Sequence, residues 1–440
     1  MNFIKKTKIG IISLGCPKAL VDSERIMTRL YGLGYEFSMS YEDADLVIVN
    51  TCGFLDSAKK ESLATIAEAI AENGKVIVTG CLGIYPELVK EQNPKVLAIT
   101  GPHQYDEVVN AVLEHTGRTK KGLCCDIPAE GLHLTPPHYA YLKISEGCDN
   151  NCSYCVIPKI RGSLKSRRID DVFQEAKNLV ASGVKELIVV SQDTGAYGRD
   201  INYQTAEIDG KEYKTDVFAL CEVLGSLNVW VRLHYIYPYP YIDKIIPYMA
   251  SGKILPYLDI PFQHASPKVL KQMRRPGIQD KMLESIAKWR QICPELTIRS
   301  TFIVGFPEET EEDFEMLLAW LKEAQLDRVG CFAFEAVDDV DASKMLNQIP
   351  EKVKQARVKK FMKLQERISK AKLKSKLGTI IDVIVDSVDE DGAVARSFGD
   401  SPEIDGYVFV DDGQELSAGD IVKVKIEDYS EHDLFGNLVI

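Results

Sequence analysis

Three cysteines inside eight residues constrain this chain more than any other feature: Cys148, Cys152 and Cys155, in Glu146-Gly147-Cys148-Asp149-Asn150-Asn151-Cys152-Ser153-Tyr154-Cys155. The spacing is C-x-x-x-C-x-x-C. A 4Fe–4S cluster normally takes four thiolates, so three leave one iron with an open coordination position, which is what a metal site needs to engage a substrate. A zinc site closes with four ligands, usually in paired C-x-x-C knuckles. No fourth Cys or His lies near this motif.

The rest of the cysteine inventory bears on the same question. Eleven cysteines in 440 residues fit a reducing compartment, where such residues bind metal or do chemistry more often than they pair. No run approaches the length of a membrane-spanning helix. Lys5-Lys6 before Ile9-Gly10-Ile11-Ile12 superficially resembles a secretion signal, and Leu14-Gly15-Cys16 a lipidation site. The apolar run is too short for either and reads as a first strand. The expectation is a cytoplasmic protein of two or three domains.

Residues 1–118 alternate short apolar runs (Lys8–Leu14, Ala44–Asn50, Lys75–Thr79) with helical patterns (Ser23–Leu33, Ser57–Glu72). That alternation predicts a parallel α/β sheet. A cysteine closely follows each strand: Cys16, Cys52 and Cys81, with Gly15, Gly53 and Gly80 beside them. Ligands sit at the carboxyl ends of such strands, so the spacing predicts a second set of three thiols. Three separate core cysteines are the bland alternative. Residues 119–134 read as a linker in which Cys124 and Cys125 are incidental.

From 135 to 365, strand-like runs recur at Tyr141–Ser145, Glu186–Ser191, Val229–Ile236, Tyr257–Ile260, Thr297–Val304 and Arg328–Phe334, with helices between them. Six repeats predict a partial (β/α)6 barrel with its site at the carboxyl ends. Glu351–Lys376 reads as a basic helix with 11 Lys and Arg against 2 Glu, and Phe361, Leu364 and Ile368 on its apolar face. Such a charge run is usually a solvated face, with RNA contact the sharper reading. Residues 366–440 carry the last domain. Alternating strands at Thr379–Val385, Gly392–Arg396, Gly406–Val410 and Ile421–Glu427 predict an antiparallel β-barrel of oligonucleotide-binding type. From Ile381 to Ile440 there are 16 Asp and Glu against 3 Lys and Arg. Cys221, Cys293 and Cys331 sit among apolar residues and read as core.

The Cys148 motif resembles that of the radical S-adenosylmethionine (SAM) enzymes. Ser13-Leu14-Gly15-Cys16-Pro17-Lys18, Val21-Asp22-Ser23-Glu24, Asn50-Thr51-Cys52-Gly53-Phe54, Thr79-Gly80-Cys81-Leu82 and Asp259-Ile260-Pro261-Phe262-Gln263-His264 together resemble the methylthiotransferases. The likeness is greatest to the branch that modifies an aspartate of ribosomal small-subunit protein twelve, and the C-terminal part is similar to a TRAM domain. Ala19, where the family commonly has Asn, and Phe334–Asp339 depart from its pattern.

The resemblance implies insertion of a methylthio group at the aspartate β-carbon, using two SAM and two 4Fe–4S clusters. Cys148, Cys152 and Cys155 would hold the cluster that cleaves SAM to a radical. Cys16, Cys52 and Cys81 would hold the cluster that presents sulfur. Both would face one cavity, because coupling demands near contact. The cofactors, rather than catalytic side chains, would carry the chemistry. Gln192, Arg232, Gln263 and Gly305 are the SAM-contacting candidates by barrel position, Tyr154 inside the thiol loop is a candidate to pack on the adenine, and His264 is either a ligand or a structural histidine. Tyr235, Tyr237, Tyr239 and Tyr241 alternate with prolines and read as turn packing.

An acidic C-terminal domain repels phosphates and attracts a Lys- and Arg-rich protein. The expected partners are therefore a basic ribosomal protein, free or on the small subunit, an electron-donor protein and possible ribosomal RNA. A transfer-RNA adenosine is the alternative substrate. A non-catalytic module holding zinc is the reading from a different class.

Overall fold

The computed structural model describes residues 7–119, 126–275 and 281–439. The chain forms two compact units. One comprises Met1–Thr135 with two short loop stretches, Glu146–Asp149 and Val156–Ser163; the other holds the remainder. Cys124 and Cys125 lie outside the described residues. Among the described residues no helix is long and apolar enough to cross a membrane.

The first unit is built on five strands in the spatial order Glu36–Ser38, Lys8–Ser13, Leu46–Thr51, Val76–Gly80, Ala98–Ile99, and every pairing is parallel. Leu46–Thr51 is buried along its whole length, as a strand covered on both faces must be. Its side chains alternate between two apolar layers. Leu46 and Ile48 join Ile26, Leu30 and Val108 on one side, and Val47 and Val49 join Ile66, Val76 and Leu82 on the other. The first helix, Pro17–Gly32, begins six residues before the expected Ser23. Pro17 is at its start, where a fixed φ favours helix entry, and Cys16 is its N-cap. The end of the expected linker is tied down: the Leu132 and Leu134 amides donate to Thr28 Oγ1 (2.9 Å) and Glu24 Oε1 (2.8 Å) on that helix.

In the second unit, six parallel strands run side by side in chain order: Tyr139–Lys143, Glu186–Val190, Trp230–Leu233, Tyr257–Asp259, Thr297–Val304 and Arg328–Ala333. A hairpin, Thr205–Ile208 with Lys211–Lys214, follows the second strand. Asp209 and Gly210 turn it with φ of 50° and 80°, the left-handed pair a two-residue turn requires. The sequence reading missed it, although Asp-Gly between short runs is a hairpin signal. Cys221, Cys293 and Cys331 are all in the core. The basic helix runs from Glu351 to Lys374 and is not merely a solvated face. Phe361 and Ile368 enter the core, Lys354 donates to the Phe334 carbonyl (2.7 Å), and Arg357 pairs with buried Glu309 (2.7 Å).

The C-terminal strands Ile380–Asp389, Gly392–Ser397, Val408–Val410, Leu434–Leu438 and Ile421–Tyr429 close into a barrel in that spatial order. The fifth strand, Leu434–Leu438, was not expected; it closes the ring by pairing parallel to Val408–Val410 and antiparallel to Ile421–Tyr429. This barrel is joined to the amino-terminal ends of the parallel strands by buried charge. Glu186 Oε1 pairs with Arg232 Nε (2.7 Å), and its Oε2 with Arg396 Nη1 (2.8 Å). Asp386 takes Arg396 Nε (2.6 Å) and His138 Nε2 (2.8 Å). Arg232 also donates to the Phe398 carbonyl, at 2.7 Å.

Glu186, Arg232 and Arg396 are all 0% exposed. Removing one member of a buried ion pair leaves an uncompensated charge, which costs about 3–5 kcal/mol. Glu186→Ala should therefore lower the unfolding free energy of the second unit by that order, read as a lower urea midpoint. Burial alone would raise the Glu186 and Asp386 carboxyls, but Arg232 and Arg396 outweigh it at Glu186, as His138 and Arg396 do at Asp386, and both lie below the ordinary range. Their contribution is then complete above about pH 5 and is lost as pH falls through the lowered values. Acid titration of the melting temperature should show that loss in the parent and a smaller one in Glu186→Ala.

Candidate functional site

Strand order places the first trio of thiols. In a doubly wound sheet the ligand crevice opens where successive connections leave to opposite faces. Here that point lies between the neighbouring strands Lys8–Ser13 and Leu46–Thr51. Cys16 and Cys52 follow these two strands, and Cys81 follows the adjacent Val76–Gly80. Distant positions thus arrive at one edge.

Glycine makes the approach possible. A Cβ on Gly15 (φ +99°) would stand 3.4 Å from the Cys52 sulfur, and one on Gly53 2.8 Å from the Cys81 carbonyl carbon. On Gly80 (φ +91°) it would fall 2.2 Å from Asn50 Oδ1. Polar side chains pin the turns together. Asn50 Nδ2 donates to the Ala19 carbonyl (2.8 Å) and to Ser23 Oγ (2.9 Å). Ser62 Oγ accepts from the Cys52 amide (3.1 Å) and donates to its carbonyl (2.9 Å), and Thr51 Oγ1 donates to the Thr79 carbonyl (2.6 Å).

Among the described residues no three cysteine sulfurs lie within 4.8 Å of one another. Three thiols gathered at one sheet edge are a donor set that fits a 4Fe–4S cluster with one iron left open. Burial works to raise the Cys16 thiol, but Lys18, Arg161 and the Ala19 and Lys18 amides at the helix N-terminus outweigh it and hold the thiol below its ordinary value. Burial pushes Cys52 up, and pushes Cys81 up to about 11 against the pull of Arg161. Arg161 was not foreseen from the sequence.

Cys148, Cys152 and Cys155 lie on the loop after the first barrel strand. The Cys155 amide donates to the Cys152 carbonyl (3.1 Å), a turn between two of the thiols. Ser153, between them, is anchored by its amide to the Met273 carbonyl (3.2 Å) and by its hydroxyl to the Gln272 carbonyl (2.8 Å). Asn150 Nδ2 donates to Asp193 Oδ2 (2.7 Å) at the end of the second strand, where Tyr239 also donates (2.6 Å). Burial raises the Asp193 carboxyl despite these bonds. The tyrosine alternation is a ladder: Tyr239 stacks on Tyr241 at 5.0 Å, and Tyr237 lies under the Arg275 guanidinium at 4.1 Å.

The SAM candidates separate. Tyr154 is at the thiol loop, its hydroxyl driven upward by burial and by Cys152 and Cys155 against Arg275. Gln192 follows the second strand. Gln263 has φ +71° and is clamped to the next strand: its amide donates to Thr301 (2.9 Å) and its carbonyl accepts from Ile303 (2.8 Å). Its side-chain Oε1 is buried without a hydrogen-bond partner, a position that fits a polar ligand.

At Gly305 (φ +72°) a Cβ would lie 2.4 Å from Lys354 Cγ, so its bareness admits the Lys354 stem. Arg232 lies among protein partners. It is consumed by Glu186 and the Phe398 carbonyl at the opposite ends of the strands. His264 is fully buried, with Nδ1 accepting from the Ser266 amide at 2.9 Å.

Residues 8–101 match the uncharacterized protein family UPF0004, residues 142–321 the radical SAM superfamily and residues 377–439 the TRAM domain. A Marinobacter nauticus protein called ribosomal protein uS12 methylthiotransferase RimO is 58% identical over 100% of this chain and 97% of its own length. A Pseudomonas aeruginosa protein of the same name is 60% identical, covering 98% and 99%. Among solved structures, the radical SAM methyltransferase TsrM of Kitasatospora setae, with cobalamin and a 4Fe–4S cluster bound, aligns over 77% of each chain. Its TM-score is 0.54 at 13% identity, a likeness of fold alone.

Gly53→Ala should force the Cys52 and Cys81 turns apart. Anaerobically loaded protein should fall from about eight irons per chain toward about four, two cubanes to one, with its far-ultraviolet dichroism unchanged. Eight irons retained would mean that the close approach is dispensable.

Proposed function

This chain belongs to the ribosomal protein uS12 methylthiotransferases, and on that premise we propose that it places a methylthio group on the β-carbon of an aspartate of uS12. It is a radical SAM enzyme that uses two 4Fe–4S clusters and SAM. The observation that carries this reading is end-to-end identity of 58–60% with relatives of that name. Two sets of three thiols at strand ends support it.

Cys16, Cys52 and Cys81 would hold one cluster and Cys148, Cys152 and Cys155 the other. Each trio leaves one coordination position for something other than protein. When bound, the clusters and SAM supply the radical that activates an inert carbon, and the sulfur and methyl that replace its hydrogen. The chain's own residues position and shield. Gly15, Gly53 and Gly80 let three turns converge. Asn150, Asp193 and Tyr239 hold the second thiol loop against the end of its neighbouring strand. Gln263 Oε1 and Tyr154 are the polar groups offered to SAM.

For recognition, the C-terminal barrel presents acid. Asp389, Glu390 and Asp391 form one exposed turn, and exposed Asp411 and Asp412 follow the strand paired next to it. Such a surface favours a cationic ribosomal protein over nucleic acid and speeds encounter at low salt. The TRAM domain and the outward lysines of the long helix leave room for contact with ribosomal RNA in the assembling particle. A separate protein would deliver the electrons, and the site of action would be the cytoplasm.

Incubation with SAM and a reductant, offering uS12 or transfer RNA, should add one methylthio group in place of hydrogen on the protein only; mass gain confined to the RNA would overturn the reading. Changing Cys148, Cys152 and Cys155 to alanine should abolish one paramagnetic cluster signal and leave another. Neutralising Asp389, Glu390 and Asp391 to their amides should raise KM for uS12 with kcat little changed. It should also flatten the dependence of kcat/KM on salt.

A further inference from the structure

Arg161 lies six residues beyond Cys155, yet its charge falls on the other trio. Its side chain is 2% exposed, with Nη1 2.9 Å from Glu146 Oε1 and 3.2 Å from Asp22 Oδ2. Nη2 is buried without a hydrogen-bond partner. The short helix that ends in this arginine, Ile157–Arg161, packs against the turn Cys81–Ile84, and from there the guanidinium favours the thiolate at Cys81, Cys16 and Cys52. Its carboxylates are themselves held: the Tyr105 hydroxyl donates to Asp22 Oδ1 at 2.5 Å, and His103 Nε2 is 3.1 Å from Glu146 Oε1. Ligand atoms of Asp22, His103 and Glu146 lie within 4.8 Å of one another, as a divalent cation would ask, but the cation between the two carboxylates is Arg161.

Burying a guanidinium is costly unless it is paired and its geometry is good. A structural tie between two loops needs no location beside three metal-binding sulfurs. A cubane held by three thiolates is net negative and becomes more so on reduction. Its potential follows net charge, hydrogen bonds to sulfur and solvent exposure. A fixed guanidinium at that place stabilises the reduced state more than the oxidised one. We propose that Arg161 is the positioning residue that balances the charge, and so sets the reduction potential, of the cluster held by Cys16, Cys52 and Cys81, with Asp22, Glu146 and His103 fixing its guanidinium. The inference rests on the two-cluster reading.

The test uses the full chain with Cys148, Cys152 and Cys155 changed to alanine, so that one cluster remains, and compares Arg161 with Arg161→Met and Arg161→Lys. Each protein is loaded anaerobically, assayed for iron and sulfide, and titrated with reductant while its paramagnetic signal is followed. Arg161→Met should titrate at a more negative potential, and Arg161→Lys, which keeps the charge, should recover most of the shift. Loss of iron in the Met variant with retention in the Lys variant supports the same conclusion. An unchanged potential in Arg161→Met, equal shifts in both variants, or iron lost from both would overturn it in favour of a purely structural tie. A parent that holds no cluster would defeat the two-cluster reading itself, and is distinguished by its failure before any change at Arg161.

Discussion

Parallel strands that lie side by side all point the same way, and every turn leaving their carboxyl ends emerges along one edge. That geometric necessity gathers Cys16, Cys52 and Cys81 from turns spread over 66 positions of the chain. The sheet's two apolar layers, split by the alternation of Leu46 and Ile48 against Val47 and Val49, are what make the edge rigid. Without that burial the three turns would be separate loops, and glycines at 15, 53 and 80 would merely add disorder. With it, they permit an approach too close for any side chain.

Two buried arginine networks show how the same physics serves different ends. At the amino-terminal ends of the six-stranded sheet, Glu186 lies between Arg232 and Arg396, and Asp386 takes Arg396 and His138. Acid and base there are closely matched, and the outcome is attachment of the C-terminal barrel. Around Arg161 two carboxylates hold one guanidinium, while neighbouring thiols also draw on its charge. Coulombic attraction gains strength in both places from the removal of water, and its cost in desolvation is offset by hydrogen bonds. The first network ties two parts of the fold together; the second borders three potential metal donors.

Local pattern carried much of this. Apolar runs bounded by glycine located the central strands to within about two residues, since burial on both faces demands continuous β-branched stretches. The thiol motif at 148–155 was legible because its spacing is itself the chemistry. Other features were hidden for definite reasons. The strand Leu434–Leu438 has little apolar alternation and is stabilised by pairing with two strands. Arg161 sits in Lys159-Ile160-Arg161-Gly162, where nothing local separates a buried cation from a solvated one. Which end of its strand the charge of Arg232 reaches is not written in local spacing, nor is the packing of Lys354, 49 positions away in sequence, over Gly305.

The amino-acid order alone settles which chemistry is available: two incomplete sets of thiols, an acidic tail domain, and strands whose hydrophobicity compels parallel pairing. Those follow from short-range spacing and composition, which need no partner to be read. Which polar groups stay free for a ligand is decided only when the chain is packed. Arg232 is engaged by the distant Phe398 carbonyl and Gly305 is covered by Lys354, Gln263 keeps an unsatisfied buried oxygen, and Arg161 is carried to sulfurs far from it in sequence. Electrostatics and excluded volume act through space, so a side chain's role depends on neighbours the linear order does not name.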